Sequence, residues 1–197
     1  MLEQKLRPFF QTKFVDCVAV FLADKIKPNT VTILATIVGL LCAISLFVNP
    51  YLCVALLLFS GYLDILDGSL ARLQKTSSNF GTLLDIFSDR LVEAFIIIAI
   101  FINQPDVLWV GLMMTMSIAF CMYSFLLVGM FSENSSQKSF YYSPGFIERA
   151  ETFLFFIVMI LLPSTVFYLG IIYTILVSWT TLYRCYEFYL YQQNKEK

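Results

Sequence analysis

Histidine is absent from the 197 residues, so no imidazole is available for a catalytic triad or a metal site. Charge is scarce as well. Asp, Glu, Lys and Arg make up 14% of the chain and hydrophobic residues 59%, with a mean hydropathy of +0.77. An average soluble domain carries about 25% charged residues, and a chain so poor in them reads as an integral membrane protein. The five cysteines, Cys17, Cys42, Cys53, Cys121 and Cys185, are odd in number, scattered and free of any CxxC pair, which argues against structural zinc and a disulfide framework. A net charge of −1 leaves no basic excess for nucleic acid, so partners are sought among lipids and small molecules. Internal repeats and low-complexity tracts are also missing, which gives inverted-repeat transporter folds no support.

What is present is a succession of apolar runs. At about 20 residues per membrane helix, the chain has room for six or seven spans and no separate soluble domain. Residues 1–28 place Leu2, Leu6, Phe9, Phe10, Phe14 and Val18 at helical spacing among Lys5, Arg7, Lys13, Lys25 and Lys27, the pattern of an amphipathic interfacial helix. Pro8 fits the first turn of its regular part. Charges run through this segment, so it does not read as a signal peptide. Spans are expected at about 31–48, 51–75, 79–103, 107–131, 146–162 and 165–189, in one all-α membrane domain over 1–197. The turns at 49–50, 103–106 and 163–164 hold no Lys or Arg, and all 13 basic residues fall at the other side or at helix ends near it. By the positive-inside rule that side, with both termini, is cytoplasmic.

Spans two and three are each half apolar and half charged, and their polar halves meet across Thr76-Ser77-Ser78-Asn79. Asp64 and Asp67 lie three apart and Asp85 and Asp89 four apart, so each pair shares a helix face. Asp64 lies roughly 15 Å before the turn, too deep for a simple interfacial charge. A charged group inside a bilayer costs roughly 2.5–3.5 kcal/mol even on the lenient insertion scale. Four carboxylates therefore call for cationic compensation. Arg72 and Arg90 are too few, whereas oxygen-loving divalent ions suit such a site, which reads as holding one or two metals. Arg90 and Glu93, three apart, pair most simply with each other. Met113, Met114 and Met116 read as packing or lipid-facing residues, and Ser60 lacks the glycine spacing and histidine of a nucleophile elbow.

The run Asp64-Ile-Leu-Asp67-Gly68-Ser-Leu-Ala71-Arg72, eight residues, then Gly81-Thr-Leu-Leu-Asp85-Ile-Phe-Ser-Asp89 resembles the D-x-x-D-G-x-x-A-R-x8-G-x3-D-x3-D signature of the CDP-alcohol phosphotransferase family, with all specified positions matched. The six-span layout behind an interfacial helix also resembles that family. The resemblance implies a metal-dependent membrane enzyme, usually a homodimer, that transfers a substituted phosphoryl group from a CDP-linked donor to an alcohol and releases CMP. It implies Asp64, Asp67 and Asp85 as ligands of Mg²⁺ or Mn²⁺, two ions in all, with Asp89 as general base and possible further ligand. Gly68, Ala71 and Gly81 would leave a slot for the cytosine ring and Arg72 would reach a phosphate oxygen, although small residues also serve helix packing. Asn29 and Thr32 resemble the P-N-x-[VI]-T opening before the family's first span, with helix capping as the equal alternative. Arg149, Arg184 and, more faintly, Lys138 are candidates for an acceptor phosphate. For the two arginines, ion pairs with Glu148, Glu151 or Glu187 are the rival reading.

The expected enzyme transfers the phosphatidyl group of CDP-diacylglycerol at the cytoplasmic leaflet of a bacterial inner membrane. Glycerol 3-phosphate is the first acceptor considered and an inositol phosphate the second. A CDP-amino-alcohol donor with diacylglycerol as acceptor is a further variant. A divalent-cation transporter is the rival from another class, and it accounts for the acids but not for Gly68, Ala71, Arg72 and Gly81.

Overall fold

The computed structural model describes residues 15–131, 147 and 149–195, all helical or in short connections. The helices are α1 (Asp16–Leu22), α2 (Pro28–Ser45), α3 (Pro50–Leu73), α4 (Asn79–Ile102), α5 (Leu108–Phe131), α6 (Arg149–Leu161) and α7 (Val166–Lys195), with 3₁₀ turns at Pro105–Val107 and Pro163–Thr165. Local chemistry sets most boundaries. Pro28 and Pro50 begin α2 and α3, where a missing N–H costs nothing. Asn49 caps α3 by accepting from the amides of Tyr51 and Leu52 at 2.8 and 3.3 Å. Ser78 caps α4 through the Gly81 amide at 3.0 Å. Lys75 ends α3 in the left-handed region at φ 54°, and the Thr76 amide closes back on the Ala71 carbonyl at 3.1 Å. That stop aims the chain into α4.

α3 packs along α2, α4 packs along α2, and α5 packs along α7, while α6 touches α3, α4 and α7. On α2 the inward residues are small: Val31, Thr32, Ala35, Val38, Gly39, Cys42 and Ala43 are buried. Ile33, Leu34, Ile37, Leu41 and Ile44 point outward. Small residues inside and large apolar ones outside suit helices that pack closely while facing lipid. Gly39 marks the tightest approach of α2, since a Cβ there would stand 2.5 Å from Val92 of α4. At the far end the side chain of Gln104 donates to the Pro163 carbonyl at 2.7 Å, tying together the turns that open α5 and α7.

Among the described residues, four segments are long and apolar enough to cross a membrane: Pro28–Ser45, Pro50–Leu73, Pro105–Phe131 and Pro163–Gln193. This is an integral membrane protein. The expected third and fifth spans fall short of that measure for different reasons. α4 has the length, but it carries Asp85, Asp89, Arg90 and Glu93. The described part of α6 is 13 residues, about 20 Å of helix against a hydrocarbon core of about 30 Å.

The interfacial helix expected over 1–28 lies largely outside the described residues, including Pro8 and every apolar position named for it before Val18. Its described part is α1, where Val15 and Ala19 are buried and Val18 is exposed. Val18 is thus not on the packed face, because this segment rests on Leu63, Leu66 and Leu70 of α3 through Val15 and Ala19, four apart on one helix face. This small cluster backs α3 at the depth of Asp64 and Asp67. A larger one, including Ile96 and Phe101 of α4, Met114 of α5, Phe156 of α6 and Tyr173 of α7, fills the other half of the bundle.

Candidate active site

The turn after α3 folds α4 back antiparallel, and the two polar helix halves meet. Asp64, Asp67 and Asp85 bring carboxylate oxygens within 4.8 Å of one another. Asp67 is buried, and its Oδ2 has no hydrogen-bond partner among the described residues. The Thr32 hydroxyl nearby donates to the Pro28 carbonyl at 3.2 Å. Three converging carboxylates, one with a buried orphan oxygen, are a donor set suited to a hard divalent cation. Mutual repulsion at such separations is severe in a medium poor in water, so the cluster requires positive charge.

Part of that charge comes from α6. Arg149, its first residue, bridges the two sides of the cleft: Nη1 pairs with Oδ2 of Asp64 on α3 and, at 2.7 Å, with Oδ1 of Asp89 on α4. The guanidinium lies 5.2 Å over the ring of Phe153, one turn along α6. Gly61 makes room for that ring, since a Cβ there would stand 2.9 Å from Phe153. Arg149 thus pairs with two aspartates of the signature, partners that its place in the sequence does not reveal. Arg90 pairs instead with buried Glu93 at 2.7 Å, as the three-residue spacing anticipates.

Gly68 and Gly81 differ. Among the described residues, a Cβ on Gly68 would meet only Arg72 Nη1 at 3.6 Å, so this face of α3 is not packed on a described neighbouring helix. Gly81 is close to the start of α2, where a Cβ would stand 3.2 Å from Asn29 Oδ1. Asn29 is not a cap, because Lys27 holds the N-cap position of α2 and no side chain caps there. Ala71 is half-buried beside exposed Arg72, whose Nη2 donates to Ser69 Oγ at 3.0 Å.

Arg184 of α7 turns elsewhere. Its Nη1 donates to the Cys121 carbonyl at 2.9 Å and to Ser124 Oγ at 3.1 Å, both on α5. The guanidinium stands 5.4 Å over Phe125. These contacts fix it on α5. Lys138 and Glu148 lie outside the described residues.

A narrow crevice extends the cluster into the bundle, lined by Thr32, Ala35, Thr36, Ser60, Asp64, Ser88, Asp89, Val92 and Arg149. Thr36, Ser60 and Ser88 escaped sequence reasoning as site residues, although helical spacing offers a signal. Ser60 stands four before Asp64, Thr36 four after Thr32, and Ser88 directly before Asp89. The Ser60 hydroxyl is committed to the Ala35 carbonyl at 2.8 Å.

Inner membrane protein YnjF of Escherichia coli (strain K12) is 29% identical over 96% of both chains. The archaetidylinositol phosphate synthase of Pyrococcus horikoshii is 37% identical over 38% of this chain and 40% of its own length. The bifunctional IPC transferase and DIPP synthase of Aquifex aeolicus is 38% identical over 37% of this chain, which spans only 17% of that longer protein. Among solved structures, the phosphatidylinositol phosphate synthase PgsA1 of Mycobacterium tuberculosis, crystallised with CDP-DAG bound, superposes with a TM-score of 0.73 over 90% of this chain and 94% of its own, at 19% identity, a likeness of fold. The family model for CDP-alcohol phosphatidyltransferases matches residues 25–183, a stretch that contains every signature residue from Asp64 to Asp89, and the chain belongs to that family.

Proposed function

We propose that the protein transfers the phosphatidyl group of CDP-diacylglycerol to a hydroxyl of a phosphorylated polyol, an inositol phosphate, with release of CMP. The observation that carries the reading is the three-aspartate cluster with Arg149 bridging Asp64 and Asp89 at the mouth of a polar crevice. Glycerol 3-phosphate yields first place among acceptors, because one partial relative is named an archaetidylinositol phosphate synthase and the fold neighbour a phosphatidylinositol phosphate synthase.

Asp64, Asp67 and Asp85 would hold Mg²⁺ or Mn²⁺, two ions in all. Bound there, the ions neutralise the pyrophosphate of the donor and stabilise departing CMP. The open face at Gly68 and Ala71, with Gly81 and Asn29 beyond it, receives the cytidine, and Arg72 binds a phosphate oxygen. Asp89 takes the proton of the attacking hydroxyl on a carboxylate oxygen, and the new P–O bond forms as the bond to CMP breaks. Arg149 holds Asp89 in place and, with Arg184 and Lys138, attracts the acceptor's phosphate. In this reading α4 and α6 complete six spans of one membrane domain over 1–197. The aspartates open to the cytoplasm, on the inner membrane of a bacterium, in a homodimer.

The test is an acceptor screen on purified protein in detergent with CDP-diacylglycerol and Mg²⁺ or Mn²⁺, following CMP release and the lipid product. An inositol phosphate should support turnover at least tenfold above glycerol 3-phosphate and above unphosphorylated inositol. Equal or better turnover with glycerol 3-phosphate would return it to first place.

A further inference from the structure

The α2–α3 hairpin carries a second chemical feature at its other end. Cys42 and Cys53, eleven positions apart in sequence, bring their sulfur atoms to 3.4 Å. Both side chains are fully buried. Cys42 Sγ also lies 3.2 Å from the Cys53 carbonyl oxygen, which keeps the thiol aimed across the interface. Cys42 stands one turn before the end of α2 at Ser45, and Cys53 in the first turn of α3 after Pro50, so the Asn49-capped connection presents the two to each other. Asp64 lies eleven residues further along α3, about 16 Å away along the helix axis. The pair therefore stands apart from the carboxylate cluster. The other three cysteines are placed differently: Cys17 and Cys185 are exposed, and Cys121 lies beside Arg184.

A disulfide requires sulfurs about 2.05 Å apart. Closing a gap of 3.4 Å asks for about 1.4 Å of approach between the two sulfurs. We propose that Cys42 and Cys53 form an oxidation site, a single intramolecular disulfide that fastens α2 to α3 at the end of the hairpin remote from the aspartates. Two S–H bonds break and one S–S bond forms. The two electrons and two protons pass to a small two-electron acceptor of the quinone or azodicarbonyl class, reduced to the hydroquinone or hydrazine. The adjoining turn is open to such an acceptor, since Phe47 and Val48 are exposed. In the membrane orientation proposed above this end faces away from the cytoplasm, where disulfides persist, although the pairing geometry does not depend on that orientation.

The test uses the full-length protein in detergent, treated with diamide, then alkylated under denaturing conditions and mapped by mass spectrometry with and without prior reduction. The expected result is a linked peptide pair joining Cys42 to Cys53 that loses two hydrogens, vanishes on reduction and is accompanied by a rise in Tm of about 5 °C. Cys42→Ser keeps a hydroxyl to donate to the Cys53 carbonyl and should fold, yet leave Cys53 alkylatable after diamide and abolish the rise in Tm. Cys42 and Cys53 both remaining alkylatable in diamide-treated wild-type protein, while exposed Cys17 and Cys185 react, would overturn the proposal. So would Cys53 captured only in links to Cys17 or Cys185.

Discussion

At the scale of single residues, the site combines side chains that do something with positions that stay out of the way. Gly68 is of the second kind. Because its missing Cβ would meet only the tip of Arg72, Gly68→Leu should leave Tm within about 2 °C of wild type. It should also raise the KM for CDP-diacylglycerol about tenfold or more, since the added side chain fills the proposed cytidine slot and little else. Arg149 is of the first kind. Its bridge to Asp64 and Asp89 runs through one nitrogen, Nη1, which makes Arg149→Lys instructive: a lysine keeps the charge but not the remaining N–H groups of the guanidinium, which are left to meet a phosphate. Steady-state kinetics should show the KM for the phosphorylated acceptor raised about tenfold or more by Arg149→Ala, because a charge-assisted contact is worth about 1.5–3 kcal/mol. Arg149→Lys should recover part of that loss, and the KM for the lipid donor should change little in either variant. A parallel rise in both KM values would mean that Arg149 serves the fold of the cleft instead.

At the scale of elements, the boundaries were largely legible because a few residues act locally. Pro28, Asn49-Pro50, Ser78, Pro105 and Pro163 start helices where their own backbone chemistry dictates, and the apolar runs between them set the lengths. α3 stops at Leu73, two residues before the expected end, because Lys75 adopts the left-handed conformation usually left to glycine. The convergence of the α3 and α4 carboxylates could be read as well, since 3- and 4-residue spacing puts each acidic pair on one helix face, whereas the packing of both helices on α2 could not. Long-range partners were not legible. Nothing in the sequence near Arg149 says that it meets Asp64 and Asp89, and nothing near Cys42 says that it meets Cys53; those contacts follow from how helices cross. The crossing of α2 and α4 offers its own check. Gly39→Leu would force a side chain into Val92, 2.5 Å from where its Cβ must stand. Overpacking of that kind costs about 1–3 kcal/mol. Thermal unfolding in detergent should show Tm lowered by several degrees, in contrast to Gly68→Leu on the open face of α3.

At the scale of the whole molecule, the bundle sets a carboxylate-rich cleft between two helix halves and closes it from the side with α6. Apolar packing behind α3 and in the far half of α4 holds the polar halves in register. Among the described residues, the cluster and crevice supply carboxylates, an arginine and hydroxyls, with no cysteine among them. The simplest chemistry is therefore direct attack by the acceptor on the phosphatidyl phosphorus. Asp89→Asn should lower kcat at least a hundredfold while leaving CDP-diacylglycerol binding within about threefold, because a base acts mainly in the transition state. Exchange of CMP into donor lipid without acceptor would point instead to a covalent phosphatidyl-enzyme and a carboxylate nucleophile.

The central claim is that the α3–α4 carboxylates form a metal site that drives transfer. Its most direct test is CMP release from CDP-diacylglycerol and an inositol phosphate, titrated with Mn²⁺, for wild type beside Asp64→Asn, Asp67→Asn and Asp85→Asn, with bound Mn²⁺ followed by electron paramagnetic resonance in the same samples. Wild-type turnover should rise with Mn²⁺ occupancy and vanish with chelator, while each substitution abolishes turnover and weakens Mn²⁺ binding in protein that remains folded. Near-normal turnover in any two of the three variants at low millimolar Mn²⁺, or wild-type turnover that survives the chelator, would contradict it.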